Sequence, residues 1–345
     1  MVPVVDLSRR TDRYLDAYQS ATARILRSGH VLLGPELEAL EAELATWAGT
    51  RHAIGVASGA TAIQLGLAAM GVGPGDEVLV PAFTAVPTAS AVAAIGAVPV
   101  PVDVDARTAA MDLDAAGAAV TARTRAVVPV HLYGRPAPIP DIGVPVLEDA
   151  AQAHGALHGI EGVAAAYSFY PTKNLGGIGD GGMLVTDDDG VAADVRRRRA
   201  HGMTAQYVHT EISQSFRLSE LEAAWLRLLL PDLAAGNARR RAIAAVYRAA
   251  APDLDWPAEH PEHVYHLCVV RSPERDAFRA ALADRSVDTA VHYPLAVTQQ
   301  PAYRRYRRSS CPEAEAWAAT CVTLPCFPEL SDDEIALVGA ALEKA

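Results

Sequence analysis

Lysine is almost missing from this chain. Of its 30 basic residues only Lys173 and Lys344 are lysine, and every other one is arginine. Other scarcities set outer limits on function. Basic residues are outnumbered by 41 acidic ones, for a net charge of −11, which argues against non-specific nucleic-acid binding. No apolar run approaches the ~20 residues of a membrane span, and the opening MVPVVDLSRR lacks the apolar centre of a secretory signal. These absences predict a cytoplasmic protein without a membrane segment. The four cysteines (Cys268, Cys311, Cys321, Cys326) have no metal-ligand spacing, and the eleven histidines are scattered. Reduced thiols and no bound metal are the expectation. The one basic run, Arg196 to Arg199, reads as a solvated helix face rather than an anion site.

What is present is a chain of 345 residues, 50% of them hydrophobic, enough for a large core and two domains. After an amphipathic opening, apolar runs at 52–57, 76–81, 97–104, 125–132, 144–149, 164–170 and 181–186 read as strands. Ala-rich helical patterns at 60–70, 85–95 and 114–122 separate the early ones. Such alternation predicts an α/β domain with a largely parallel sheet. Residues 217–249 read as long helices broken at Pro231, followed by strands near 264–270 and 287–292 and a closing helix at 331–343. A boundary near 230–240 divides residues 1–235 from a smaller unit, 236–345.

In sheets of this kind ligands sit beyond the carboxyl ends of the strands. That rule collects His131 and Tyr133, Asp149, the stretch Ser168 to Lys173, and the turn Ser58-Gly59-Ala60. The turn runs from a strand into a helix, whose unpaired first amides can hold a phosphate or simply be capped. Asp149, within VLEDAAQAH, is costly to bury without a cationic partner. A protonated pyridine nitrogen is one such partner, and Gln152 could reach the same ring. A lysine amine that loses its proton can attack a carbonyl, whereas a guanidinium stays protonated. In SFYPTKNLGGIGDGG, a serine precedes Lys173 by five residues and a glycine-rich loop follows it.

Together with RSGHVLLGPELEALE, GVGPGDEVLVPAFT, VPVHLYG, RLSELEAAWL, VHYPLAVTQQPAY and LPCFPELSDDEI, these segments resemble the DegT/StrS family of nucleotide-sugar aminotransferases. The resemblance covers nearly the whole chain. It implies a fold-type I pyridoxal-phosphate enzyme, with a mixed, mostly parallel seven-stranded sheet and a smaller C-terminal α+β domain. It implies that Lys173 forms the Schiff base and moves the proton. Asp149 would hold the pyridinium nitrogen and Gln152 the ring hydroxyl, while Gly59, Ala60, Thr61 and Ser168 would bind phosphate. The family works as a homodimer, with the segment before Arg217 reaching into the neighbour's site. An amino group would pass from L-glutamate, through pyridoxamine 5'-phosphate, to a nucleotide-linked keto-sugar. VHLYG at 130–134 favours carbon 3 of a dTDP-linked 3-keto-6-deoxyhexose. His131, Tyr133, Arg217, His292 and Tyr293 are the candidate substrate contacts, each with a packing or ion-pair alternative.

The chain departs from the family pattern at three places. Gly59-Ala60-Thr61 stands where Gly-Thr and then Asp or Ser are usual. Ala85 stands where an aromatic commonly stacks on the cofactor, leaving Phe83 next to it. Ser215 replaces an interface asparagine. The segment 134–149 also lacks room for most of the helix that relatives carry there. Among rival activities, an aminocyclitol aminotransferase would keep every cofactor residue. A sugar dehydratase on this fold is expected to replace the lysine with histidine, and a non-catalytic regulatory relative would have no need of Lys173.

Overall fold

A computed structural model describes residues 1–345. Two helices open the chain, α1 (Leu7–Ser28) and α2 (Pro35–Ala48). There follow β1 (His52–Val56), α3 (Gly59–Ala69), β2 (Glu77–Pro81), α4 (Val86–Ala94), β3 (Val98–Val102), α5 (Leu113–Ala119) and β4 (Thr124–Val127). Next come β5 (Leu147–Asp149), β6 (Ala164–Ser168), β7 (Gly182–Thr186), α6 (Asp189–Arg198) and the short hairpin β8 (Met203–Ala205) with β9 (Val208–His209). The remainder is α7 (Glu220–Leu229), α8 (Leu233–Ala250), β10 (Cys268–Arg271), α9 (Arg275–Ala283), α10 (Pro312–Thr320), β11 (Cys321–Leu324) and α11 (Asp332–Leu342). No helix is long and apolar enough to cross a membrane.

The central strands form two ladders. One runs β3-β2-β4, all parallel, and the other β1-β7-β6-β5, in which β7 is antiparallel to both its neighbours. Parallel bridges Val127–Val146 and Val130–Asp149 lay the continuation of β4 against β5. The strands are apolar on both faces because both faces are covered. Ile54, Ala164, Ala166 and Leu184 enter a core shared with α3, α4 and α6, whereas Ala53, Ala165, Tyr167 and Met183 enter one shared with α2 and α7. Alternate side chains of a strand thus feed opposite cores. A third core gathers Val2 with α8 from Ile243 onward, β10, β11, α9 and α11.

Helix ends follow their sequence signals. Gly29 and Gly49 close α1 and α2 in the left-handed conformation. Ser331 and Glu334 form a capping box on α11. Leu230 to Asp232, around Pro231, separates α7 from α8 as one tight turn. The segment between Arg135 and Val146 holds no helix, as its prolines predict.

Residues 287–292, expected as a strand, make only single bridges at Val287 and Ala290. Asp288 turns its own carboxylate onto the Thr289 amide at 2.8 Å, and this local bond competes with a continuous ladder. Three of the four arginines in the run at the end of α6 are ion-paired. Arg197 and Arg198 share Asp194 and Glu211, and Arg199 meets Glu41. All four cysteines are free and buried.

Candidate active site

The carboxyl ends of β1, β5 and β6 meet the start of α3. Ser58 caps α3, its hydroxyl accepting the Thr61 amide at 3.1 Å and meeting the Thr61 hydroxyl at 2.9 Å. The amides of Gly59 and Ala60 have no acceptor one turn back, as at any helix start. Contact with the sheet is close: a Cβ on Gly59 would lie 2.7 Å from Cβ of Ser168, and one on Gly182 2.2 Å from the carbonyl carbon of Ser58. Backbone amides and three hydroxyls, from Ser58, Thr61 and Ser168, therefore crowd one small volume. Thr61 keeps a hydroxyl beside the helix start although Ala60 brings none.

Asp149 ends β5 and is only 5% exposed. Its carboxylate accepts the Thr88 hydroxyl at 2.7 Å and the Ala151 amide at 3.1 Å. No arginine, lysine or histidine forms an ion pair with it. Burial raises its pKa, and the Thr88 and Ala151 hydrogen bonds, with Lys173 and His131 farther off, only oppose that rise. A buried acid of this kind is suited to a cation that arrives with a ligand. Thr88 in turn meets the Thr84 hydroxyl at 3.3 Å.

Lys173 follows β6 in a tight turn, its own amide donating to the Tyr170 carbonyl. Its side chain is partly buried, and loss of solvent pushes the amine down to about 8, against the pull of Asp149. A sizeable fraction of neutral amine near neutrality is what attack on a carbonyl requires. Asn174 ties the turn to α8, donating to Asn237 at 2.8 Å and to the Val264 carbonyl at 3.0 Å.

The substrate candidates separate into two groups. His131 is 1% exposed, and its ring accepts the Ala137 amide at Nδ1 and donates through Nε2 to Glu148 at 3.0 Å. Tyr133 is 3% exposed and donates its hydroxyl to the His292 carbonyl. Both are spent inside the wall, so their polar atoms are not free for a substrate. His292 and Tyr293 are partly exposed, with the Thr323 hydroxyl at 2.9 Å from His292 and the Gln152 amide donating to the Tyr293 hydroxyl at 3.0 Å. Gln152 also accepts the Tyr133 amide at 2.6 Å. Arg217 has no carboxylate partner and reaches only Ser215, at 3.0 Å. Its backbone bridges Val56, directly before the Ser58 turn, while Ser215 is exposed.

Phe83 does not lie open beside Ala85. It is fully buried and stacked on Trp317 at 5.9 Å. Two residues near the site were not assigned from sequence. Thr88 lies within the helical pattern at 85–95, but its approach to Asp149 depends on α4 starting beside β5. His154 is buried against Tyr167 and Phe169 with neither ring nitrogen in a well-formed hydrogen bond. Burial pushes it down to about 3, so it packs there neutral.

A family model described as the DegT/DnrJ/EryC1/StrS aminotransferase family matches residues 15–343. The chain is 42% identical, over 95% of its length and 92% of the relative's, to a dTDP-3-amino-3,4,6-trideoxy-alpha-D-glucose transaminase of Streptomyces venezuelae. It is 40% identical, over 99% of its length and 97% of the relative's, to a UDP-N-acetyl-3-dehydro-alpha-D-glucosamine 3-aminotransferase of Acidithiobacillus ferrooxidans. The crystal structure of S. venezuelae DesV in complex with a ketimine intermediate superposes with a TM-score of 0.95 at 41% identity, covering 99% of this chain and 98% of that one.

Proposed function

The chain belongs to the DegT/DnrJ/EryC1/StrS aminotransferase family, and from that premise we propose that it moves an amino group from L-glutamate to carbon 3 of a dTDP-linked 3-keto-6-deoxyhexose. The observation that carries the reading is the meeting of a lone reactive lysine, an unpaired buried acid and an open helix start at one sheet edge. Two similar relatives, though they differ in nucleotide, are both named for amination at carbon 3 of a nucleotide sugar.

The residues fit pyridoxal phosphate. Asp149 is a buried carboxylate without a cation, and the α3 start offers amides and hydroxyls to a phosphate. When bound, the cofactor supplies a carbonyl for the amino group and a ring that spreads the electron pair released at carbon. The amides of Gly59 and Ala60, with Thr61 and Ser168, would bind the phosphate. Asp149 would hold the protonated ring nitrogen, and Thr88 orients Asp149. Gln152, fixed by Tyr133 and Tyr293, would meet the ring hydroxyl. Lys173, with its amine neutral, would be the group that meets the cofactor's carbonyl carbon, and its Nζ would hold and hand on the proton of the transfer. Arg217, His292 and Tyr293 face the substrate, whereas His131 and Tyr133 hold the wall behind it.

We read the two bridged ladders as one seven-stranded sheet in a cofactor-binding domain, residues 1–235, with 236–345 as the smaller domain. In a homodimer the segment before Arg217, which bears Ser215, serves the neighbouring site. The test is a panel of keto acceptors with L-glutamate, following 2-oxoglutarate release. Turnover with a dTDP-3-keto-6-deoxyhexose is expected. Activity confined to keto-inositols would move the chain to aminocyclitol chemistry, and activity confined to UDP-sugars would overturn the nucleotide.

A further inference from the structure

The loop that carries Lys173 is held from behind by groups with no part in the chemistry above. Helix α7 presents Glu222 and Trp225, three residues apart and so on one face. Glu222 accepts the Ile178 amide at 3.0 Å and also the amide of Gly179. The Trp225 indole donates to the Gly176 carbonyl at 3.0 Å. Glycine at 177 is explained by the same carboxylate, since a Cβ there would lie 1.5 Å from Oε1 of Glu222. At the other end of the loop Arg10, from α1, donates to the Pro171 carbonyl at 2.9 Å. Lys173 therefore sits between two anchored points.

We propose that Glu222 is a positioning residue for the amino transfer, fixing through the Ile178 and Gly179 amides the loop that presents Lys173. The proposal rests on the reading of Lys173 as the lysine that bonds to the cofactor. Trp225 and Arg10 second it.

The groups facing Glu222 give the latch a pH dependence. Burial raises its carboxyl to about 7; the Gly179 and Ile178 amides and Arg10 pull it down, and Asp180 pushes it up. Tyr18 of α1 also lies within charge range. A closed loop keeps a proton on Glu222 that an opened, solvated loop releases above its ordinary value of 4.5. Closure is thus firmest in acid, weakens as the pH rises towards 7, and is level beyond.

Amide hydrogen exchange on the cofactor-free protein, read on a peptide spanning residues 174–182, tests this. Corrected for intrinsic rates, wild-type exchange should be about tenfold slower near pH 5 than near pH 8. Glu222→Gln, neutral and of the same shape, should stay slow at both. Glu222→Ala should exchange about tenfold faster than wild type near pH 5. With cofactor bound, Glu222→Ala should shift the pH midpoint of the visible absorbance and lower kcat more than it changes KM. Wild-type protection that ignores pH, or a Glu222→Ala loop as protected as wild type, overturns the proposal. If Glu222→Ala does not fold, Trp225→Phe must expose the same peptide several-fold, and a protected loop there also overturns it. A wild-type protein that never bonds to the cofactor through Lys173 would refute the function while the exchange result still decides whether Glu222 holds the loop.

Discussion

Asp149 shows how one residue can weaken the empty protein to serve the loaded one. Its carboxyl is raised in the fold by burial, so its favourable contribution belongs to acid conditions and is lost as the pH rises through the raised value. Asp149→Asn removes that loss. The cofactor-free variant should melt about 2–4 °C higher than wild type near pH 8. Its affinity for pyridoxal phosphate should fall by at least about tenfold, because a hydrogen-bonded charge pair contributes ~1.5–3 kcal/mol. Calorimetry with and without cofactor checks both signs, and a lower melting point in the empty variant contradicts the assignment. Lys173, Asp149 and Ser168 were legible in the sequence because strand-end rules bring them to one edge. Thr88 was not, since its partner lies 61 residues away and only the placement of α4 joins them. His131 misled because a histidine after a strand reads the same whether its nitrogens are free or spent.

At the scale of elements, α7 works as an organiser. Besides the loop behind Lys173, it reaches α2 through Glu220, which is 1% exposed. That carboxylate accepts the amides of Gly34 at 2.9 Å, Glu36 at 2.8 Å and Leu37 at 3.1 Å, capping a helix whose own N-cap, Gly34, has no side chain to do so. Glu220→Ala should cost about 2–3 kcal/mol in urea unfolding, whereas a cost below about 0.5 kcal/mol, the range of ordinary surface substitutions, would contradict the capping role. The strands and helices from β1 to β3 were legible within a residue or two, because their apolar runs are bounded by Gly, Pro and Asp, whereas 114–122 and 125–132 were read too long, since α5 ends at Ala119 and β4 at Val127. β11 was not: CVTL is short, follows α10 without a break, and is a strand only because β10 pairs with it. The opposite error at 287–292 has the local cause already given, a side chain that takes its own backbone's bond.

For the whole molecule the exposed apolar side chains matter most. The β8–β9 hairpin and the segment that follows expose Tyr207 at 83% and Ile212 at 103%, with Val208 beside them. These residues directly precede Ser215 and Arg217. Apolar exposure of this order on a segment leading to the site fits a second copy of the chain. If a second copy docks on this segment as proposed, Tyr207→Asp with Ile212→Asp should leave only monomers by light scattering and reduce turnover sharply, with each subunit still folded. A double variant that stays dimeric and active would place the interface elsewhere.

The scarcity of lysine makes the central claim unusually easy to test. Protein reconstituted with pyridoxal phosphate, reduced with borohydride and digested should carry the pyridoxyl mass on the peptide containing Lys173. Lys344 and the N-terminal amine serve as the internal controls. Adding L-glutamate before reduction should remove the label, since the amino group then resides on the cofactor and the lysine is free. A label on Lys344, or none at all, would contradict the account.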